Sequence, residues 1–291
     1  MFIKDLFSQK KPVISFEVFP PKKAADIQAI YGALEGITQL GPDFISVTYG
    51  AGGSGSSGKT GEIASAIKNK WGIEALAHLT CVGARRDQIH QIAAELKEAN
   101  VLNILALRGD LPVDTALPLS GDFQYAHDLI RELKELGGFC IGAACYPEGH
   151  IESDSVEESL LHLKEKQEAG ADFLITQLFF ENNLFFDFLE KARKTGITLP
   201  ITAGVMPILS RGQIERMIFM CGSSLPSAIV RLLHKYADSP ADLRKAGIEY
   251  ASNQAEGLIR GGVDGVHLYS MNQPDIAAAG MERIRRVQQE I

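Results

Sequence analysis

The stretch "EAGADFLITQLFF", residues 168–180, passes from a helical end through Gly170 and Asp172 into a continuous apolar run interrupted near its end by Gln177. Glycine is suited to stop a helix, because it accepts the left-handed conformation that closes the last turn. The same order of helix end, glycine, aspartate and apolar run recurs in "LGPDFISV" (40–47) and "RGGVDGVHL" (260–268), so one αβ unit is being reused. Working outward, eight apolar runs appear: 13–19, 43–48, 74–81, 103–110, 139–147, 172–180, 200–207 and 263–272. Near-continuous hydrophobicity over such lengths marks strands buried on both faces, and parallel sheets are their usual setting.

Amphipathic segments lie between the runs. In 85–99 the residues Ile89, Ile92, Ala93, Leu96 and Ala99 share one helical stripe, and in 125–136 Leu129, Ile130, Leu133 and Leu136 do the same. The connection from the seventh run to the eighth is the longest and is expected to hold two helices, 211–221 and 226–236 or beyond. Eight such βα units in 291 residues, with no Pro/Ser-rich linker, predict an α/β fold: a single (β/α)8 TIM barrel spanning 1–291.

Charge narrows the partners. A net charge of −7 without a basic block argues against nucleic acid. No run approaches the roughly 18 apolar residues of a membrane helix, and the charged N-terminus is unlike a signal peptide, which together predict a cytoplasmic protein with no membrane partner. Cys81, Cys140, Cys145 and Cys221 have no metal-like spacing and are expected as reduced, packed thiols, with no metal site.

One motif points elsewhere. "YGAGGSGSSGKT" (49–60) has Gly53, then Gly58, Lys59 and Thr60 at the spacing of a phosphate-binding P-loop. A P-loop needs its glycine at the strand end, whereas here the apparent strand stops at Thr48 and four residues intervene. An ATP- or GTP-binding protein is therefore the rival reading, and a flexible linker is the plainer one.

In a TIM barrel the active site forms at the C-terminal ends of the strands, so polar residues late in each run are the candidates. They are Glu17, Thr48, His78, Arg108 with Asp110, Tyr146, Gln177 and Tyr269, with Pro207 closing the seventh run. In "ISFEVFPP" the carboxyl of Glu17 is enclosed by apolar residues, where desolvation disfavours its charged form and suits it to act as a general acid. Each candidate also has a structural explanation: Glu17 could pair with Arg108 inside the barrel, Arg108 could pair with Asp110, and His78 could be a core histidine.

The segments "SFEVFPPK", "VTYGAGG", "AHLTC", "LALRGDLP", "YAHDLI", "YPEGH", "HLKEKQEAGADFLITQLFF" and "HLYSMN" resemble, in order and spacing, those of the methylenetetrahydrofolate reductases over nearly the whole chain. The resemblance implies non-covalent FAD, NADH or NADPH as reductant, and reduction of methylenetetrahydrofolate to methyltetrahydrofolate by a two-step relay that supplies methyl groups for methionine. It makes Glu17 the proton donor to folate and puts Asp110 beside the flavin and pterin. Gln177, Gln213, Tyr269 and Gln273 would contact folate or nicotinamide. Flavin contacts would come from Thr48, Tyr49, Ala51, His78, Leu107, Arg108, Gly109, Asp110, Tyr125, Ala126, Ala144, Tyr146, His150, Ser159, Lys166 and Ile175. The chain departs from the family at Ser159, where an aspartate is usual and Glu158 is the alternative; at Gln273, where arginine is common; and at Met217, where some members place an aromatic. A barrel that binds flavin or folate without turnover is the second rival, and the assembly state, a homo-oligomer included, stays open.

Overall fold

The computed structural model describes residues 1–21, 27–49, 57–111 and 120–290. The repeated glycine–aspartate junctions build its floor. Gly41, Gly170 and Gly262 have positive φ values of 65°, 111° and 76° as they end their helices. Each aspartate that follows accepts a backbone N–H from a neighbouring strand: Asp43 from Ile14 at 2.7 Å, Asp172 from Ile141 at 2.8 Å and Asp264 from Ile201 at 3.0 Å. Lysines cover the same carboxylates, with Lys10 2.9 Å from Asp43, Lys134 2.9 Å from Asp172 and Lys11 3.0 Å from Asp264. The motif therefore stitches adjacent strands together at their N-terminal ends, where each backbone donor would otherwise lack a partner.

Eight parallel strands result: β1 (Val13–Val18), β2 (Phe44–Val47), β3 (Glu74–Thr80), β4 (Asn103–Leu107), β5 (Cys140–Cys145), β6 (Phe173–Thr176), β7 (Ile201–Val205) and β8 (Gly265–Tyr269). They pair in sequence order and close through β8 on β1, in register Ser15 with His267 and Glu17 with Tyr269. The expected (β/α)8 TIM barrel is present. Around it run α2 (Ile27–Thr38), α3 (Ser57–Trp71), α4 (Arg86–Glu98), α5 (Ala126–Leu136), α6 (Val156–Glu168), α7 (Asn182–Lys194) and α11 (Pro274–Glu290).

Two features extend the sequence reading. The β7–β8 connection holds three helices, α8 (Arg211–Cys221), α9 (Ser227–Lys235) and α10 (Pro240–Arg260), the last opened by a proline whose fixed φ suits a first helical turn. A short N-terminal helix, α1 (Ile3–Gln9), plugs the floor, with Ile3 and Leu6 packed on Val13, Phe44, Leu76, Leu105 and Phe173 inside the barrel. The apolar runs also outlast their strands. Leu178, Phe179 and Phe180 are buried beyond the end of β6, and Leu178 and Phe180 join Met206, Ile208, Ile214 and Ile229 in a cluster beneath α8–α10.

The four cysteines are unpaired, and burial pushes the thiols of Cys81, Cys140 and Cys145 up to about 12, as expected of packed, inert groups. Among the described residues no helix is long and apolar enough to cross a membrane.

Candidate active site

Inward positions of β1, β2, β3 and β8 build a polar column above the apolar floor. Ser15 Oγ lies 2.7 Å from His267 Nδ1, and Ser46 Oγ lies 3.3 Å from His267 Nε2. Above them Glu17 Oε2 stands 3.6 Å from His267 Nε2 and 3.7 Å from His78 Nε2. A carboxyl between two imidazole nitrogens can hold a proton on either side of a transfer, since each nitrogen serves as donor or acceptor according to its tautomer. The phenol of Tyr269 closes the column by donating to Thr176 O at 3.1 Å, and burial, with the Glu17 charge adding, holds it well above its usual range. Gly204 makes room for that ring, because a Cβ there would lie 2.8 Å from the Tyr269 hydroxyl.

His78 Nε2 is buried with no hydrogen-bond partner, and burial pulls the imidazole down to about 4. The unfolded chain takes up this proton near 6.5, so stability present above that pH is lost as pH falls towards 4. This single group is expected to remove about 3 kcal/mol over that window. Urea unfolding at pH 7.5 and 4.5 should give a markedly shallower acid loss for His78→Gln than for the wild type; equal losses would dismiss the effect.

On the β4–β6 side of the same face a cleft of about 260 Å³ opens, walled by Leu107, Arg108, Tyr125, Ala126, Ala144, Tyr146, His150, Ser159 and Lys166. Nine of the expected flavin contacts thus share one cavity. Lys166 Nζ donates to Ala144 O at 2.9 Å and sits 5.4 Å from the centre of the Tyr146 ring. Burial lowers its ammonium to about 8. Burial also depresses His150, with the Arg108 charge adding to the effect. Ser159 Oγ accepts the backbone N–H of His150 at 3.2 Å, and Glu158 also lines the cleft, so either can face a ligand there.

Other candidates stand differently. Arg108 pairs with neither Glu17 nor Asp110: its Nη1 and Nη2 bond the two oxygens of Glu152 at 2.6 and 2.7 Å, while Asp110 is exposed. Gln177 accepts the N–H of Leu178 at 2.8 Å. Gln213 is tied into the turn before α8, accepting from Leu209 N at 2.7 Å and donating to Pro207 O at 3.2 Å. Gln273 accepts from Arg244 Nη2 at 2.7 Å, which brings a guanidinium to the position where the resemblance leads one to expect arginine. Met217 joins the cluster beneath α8–α10. Ile175 packs in the floor cluster with Phe173 and does not line the cleft. Gly109 (φ 91°) lies against Thr80 and Val82, a position strained for any larger residue. Thr48 and Tyr49 follow the end of β2, Tyr49 packed on the main core. Ala51 falls outside the described residues, as do residues 50–56 of the P-loop-like stretch. Lys59 donates to Pro21 O at 3.3 Å and Thr60 to Thr48 O at 3.0 Å, both within the first turns of α3.

Sequence reasoning did not single out Glu152, His127, His162 or the Ser15–His267–Ser46 column. Tyr125 stacks on His127 and His162, with centroids 5.5 and 6.4 Å apart, at the outer end of the cleft. These rings lie within "YAHDLI" and "HLKEKQEAGADFLITQLFF", two of the segments that carry the resemblance, but their sequence separation does not reveal that they meet.

The model of the family described as methylenetetrahydrofolate reductase matches residues 2–285. The 5,10-methylenetetrahydrofolate reductase of Salmonella typhimurium is 36% identical over 267 residues, covering 91% of this chain and 88% of the relative. That of Pectobacterium carotovorum subsp. carotovorum is 35% identical over 266 residues with the same coverage. Among solved structures, a Clostridium thermocellum protein described as binding two copies of 5-methyl-5,6,7,8-tetrahydrofolic acid superposes over 100% of both chains at a TM-score of 0.67 and 13% identity, a likeness of fold. With the barrel, its polar mouth and a family match over almost its full length, this chain belongs to the methylenetetrahydrofolate reductase family.

Proposed function

We propose that the protein reduces methylenetetrahydrofolate to methyltetrahydrofolate with NADH or NADPH, with FAD held in the β4–β6 cleft and Glu17 as the proton donor. The observation that carries this reading is the single carboxyl set between two imidazoles in the mouth of a barrel whose neighbouring cleft holds half-buried cations. The donor set suits FAD: Arg108 and Lys166 match a diphosphate, and Tyr146 and Tyr125 offer ring faces. Bound there, FAD would supply hydride exchange between the nicotinamide and folate in successive steps.

The residues of the chain manage position and protons. Glu17 delivers its proton to a ring nitrogen of methylenetetrahydrofolate, the carbon–nitrogen bond breaks, and the five-membered ring opens to an iminium ready for hydride. His267 and His78 then face the carboxylate that remains. Gln177, Tyr269 and Gln273 would contact folate and nicotinamide in turn, and Asp110, which is exposed, would stand beside the flavin and pterin.

The test is steady-state turnover of NADH or NADPH against methylenetetrahydrofolate and against menadione. Both acceptors are expected to work, whereas a protein that binds flavin but oxidises no nicotinamide would be a carrier. A second expectation concerns Lys166. Its ammonium loses its charge near pH 8, and a diphosphate alongside would restore it, so FAD affinity should fall above pH 8 with proton uptake on binding. Titrations between pH 7 and 9.5 should show that slope in the wild type and flatten it in Lys166→Met; parallel slopes would exclude Lys166 from the site.

A further inference from the structure

Arg108 is the cation best placed for an anionic cofactor, yet its charge is already taken. The Glu152 carboxylate accepts from Nη1 and Nη2 at 2.6 and 2.7 Å, and Arg108 Nε donates to Gly109 O at 3.2 Å. The Arg108 side chain is only 15% exposed beneath this carboxylate, which is itself 44% exposed and lines the cleft. The pairing lowers the Glu152 carboxyl and raises Arg108, so both stay charged. A diphosphate approaching Arg108 would meet this carboxylate, and like charges at such range repel.

The segment that carries Glu152 is tied down independently of that pair. Ser153 N bonds His150 O at 2.9 Å, Asp154 N bonds Glu158 Oε2 at 2.6 Å, and Ser155 caps α6 by accepting from Glu158 N at 3.1 Å. The side chain can therefore turn towards solvent while the loop keeps its shape.

We propose that Glu152 is a built-in competitor that occupies Arg108 in place of the cofactor diphosphate, swings out when FAD binds, and thereby weakens cofactor retention. The inference rests on the proposed cofactor site but not on the reaction performed there. Removing the competitor frees a charge-assisted pairing, which corresponds to roughly tenfold in affinity. Dilution of the holoenzyme, followed by fluorescence of the released FAD, reads this directly. Glu152→Gln is expected to lower the FAD dissociation constant about tenfold, slow release, and strengthen competition by inorganic diphosphate. In an Arg108→Gln background the same substitution should bring no gain, because the effect runs through that pair.

An unchanged or weaker FAD affinity in Glu152→Gln would overturn the proposal and make Glu152 a support for Arg108. An equal gain in both backgrounds would overturn it too, because removal of a negative charge anywhere in the cleft would then suffice. Wild-type protein that retains no FAD at all would remove the cofactor reading and this inference together, a result distinct from the other two. Thermal unfolding of each variant confirms that the exposed loop substitution leaves the barrel folded.

Discussion

Glu17→Gln is expected to lose methylenetetrahydrofolate reduction by about a thousandfold while NADH or NADPH still transfers hydride to menadione. Glutamine keeps the shape of the side chain and a polar end facing His78 and His267, so the mouth stays filled, but it has no acidic proton to give. In the proposed relay only the folate half of the cycle would need that proton, since ring opening would precede hydride arrival at the carbon, whereas reduction by nicotinamide would call on no acid in the column. The two activities should therefore separate in one variant. Rapid mixing with each substrate in turn measures them independently: loss of both halves would mean that the substitution damages the site, and survival of both would mean that another group delivers the proton.

The largest expected effect on stability comes from a glycine far from the chemistry. A Cβ added at Gly247 in α10 would lie 1.8 Å from the carbonyl oxygen of Ile208, just beyond β7, so the helix and the strand exit approach backbone to backbone. Alanine would gain up to about 1 kcal/mol in helix propensity, yet neither backbone can yield without parting α10 from the barrel. Gly247→Ala is expected to cost about 3 to 5 kcal/mol, a fall in Tm of roughly 10 °C, with loss of soluble protein. Gly32 in α2 supplies the control. It is exposed, and a Cβ added there would meet nothing within 4 Å, so Gly32→Ala should stabilise by about 0.5 to 1 kcal/mol. Equal responses from the two variants, by calorimetry or urea titration, would dismiss the close contact.

These contacts mark the limit of what the sequence conveys. The barrel was legible because its signals are local: Gly170 ends a helix, Asp172 follows, and an apolar run begins. The strand tips were legible for the same reason, and Glu17, His78 and Tyr269 do converge. Pairing across the fold was not. Arg108 had Asp110 two residues away and Glu17 inside the same barrel as evident partners, yet the β5–α6 loop brings Glu152 to it from 44 residues away. Gln213 has local partners that its sequence position did not reveal, its amide accepting from Leu209 N and donating to Pro207 O. The buried column escaped notice because Ser15, Ser46 and His267 sit inside runs that read as apolar, and only strand register brings them together. The N-terminal plug was missed because Ile3 and Leu6 share a short segment with Lys4 and Asp5, whose charges disguise its inward face.

The visible absorption spectrum of the freshly purified protein, taken before and after denaturation, bears most directly on a flavin site beside Glu17. A yellow protein that releases FAD when unfolded, bleaches with NADH or NADPH and recovers its colour with methylenetetrahydrofolate is the expected result. A colourless protein that takes up no FAD when it is supplied, with folate turnover intact, would contradict it.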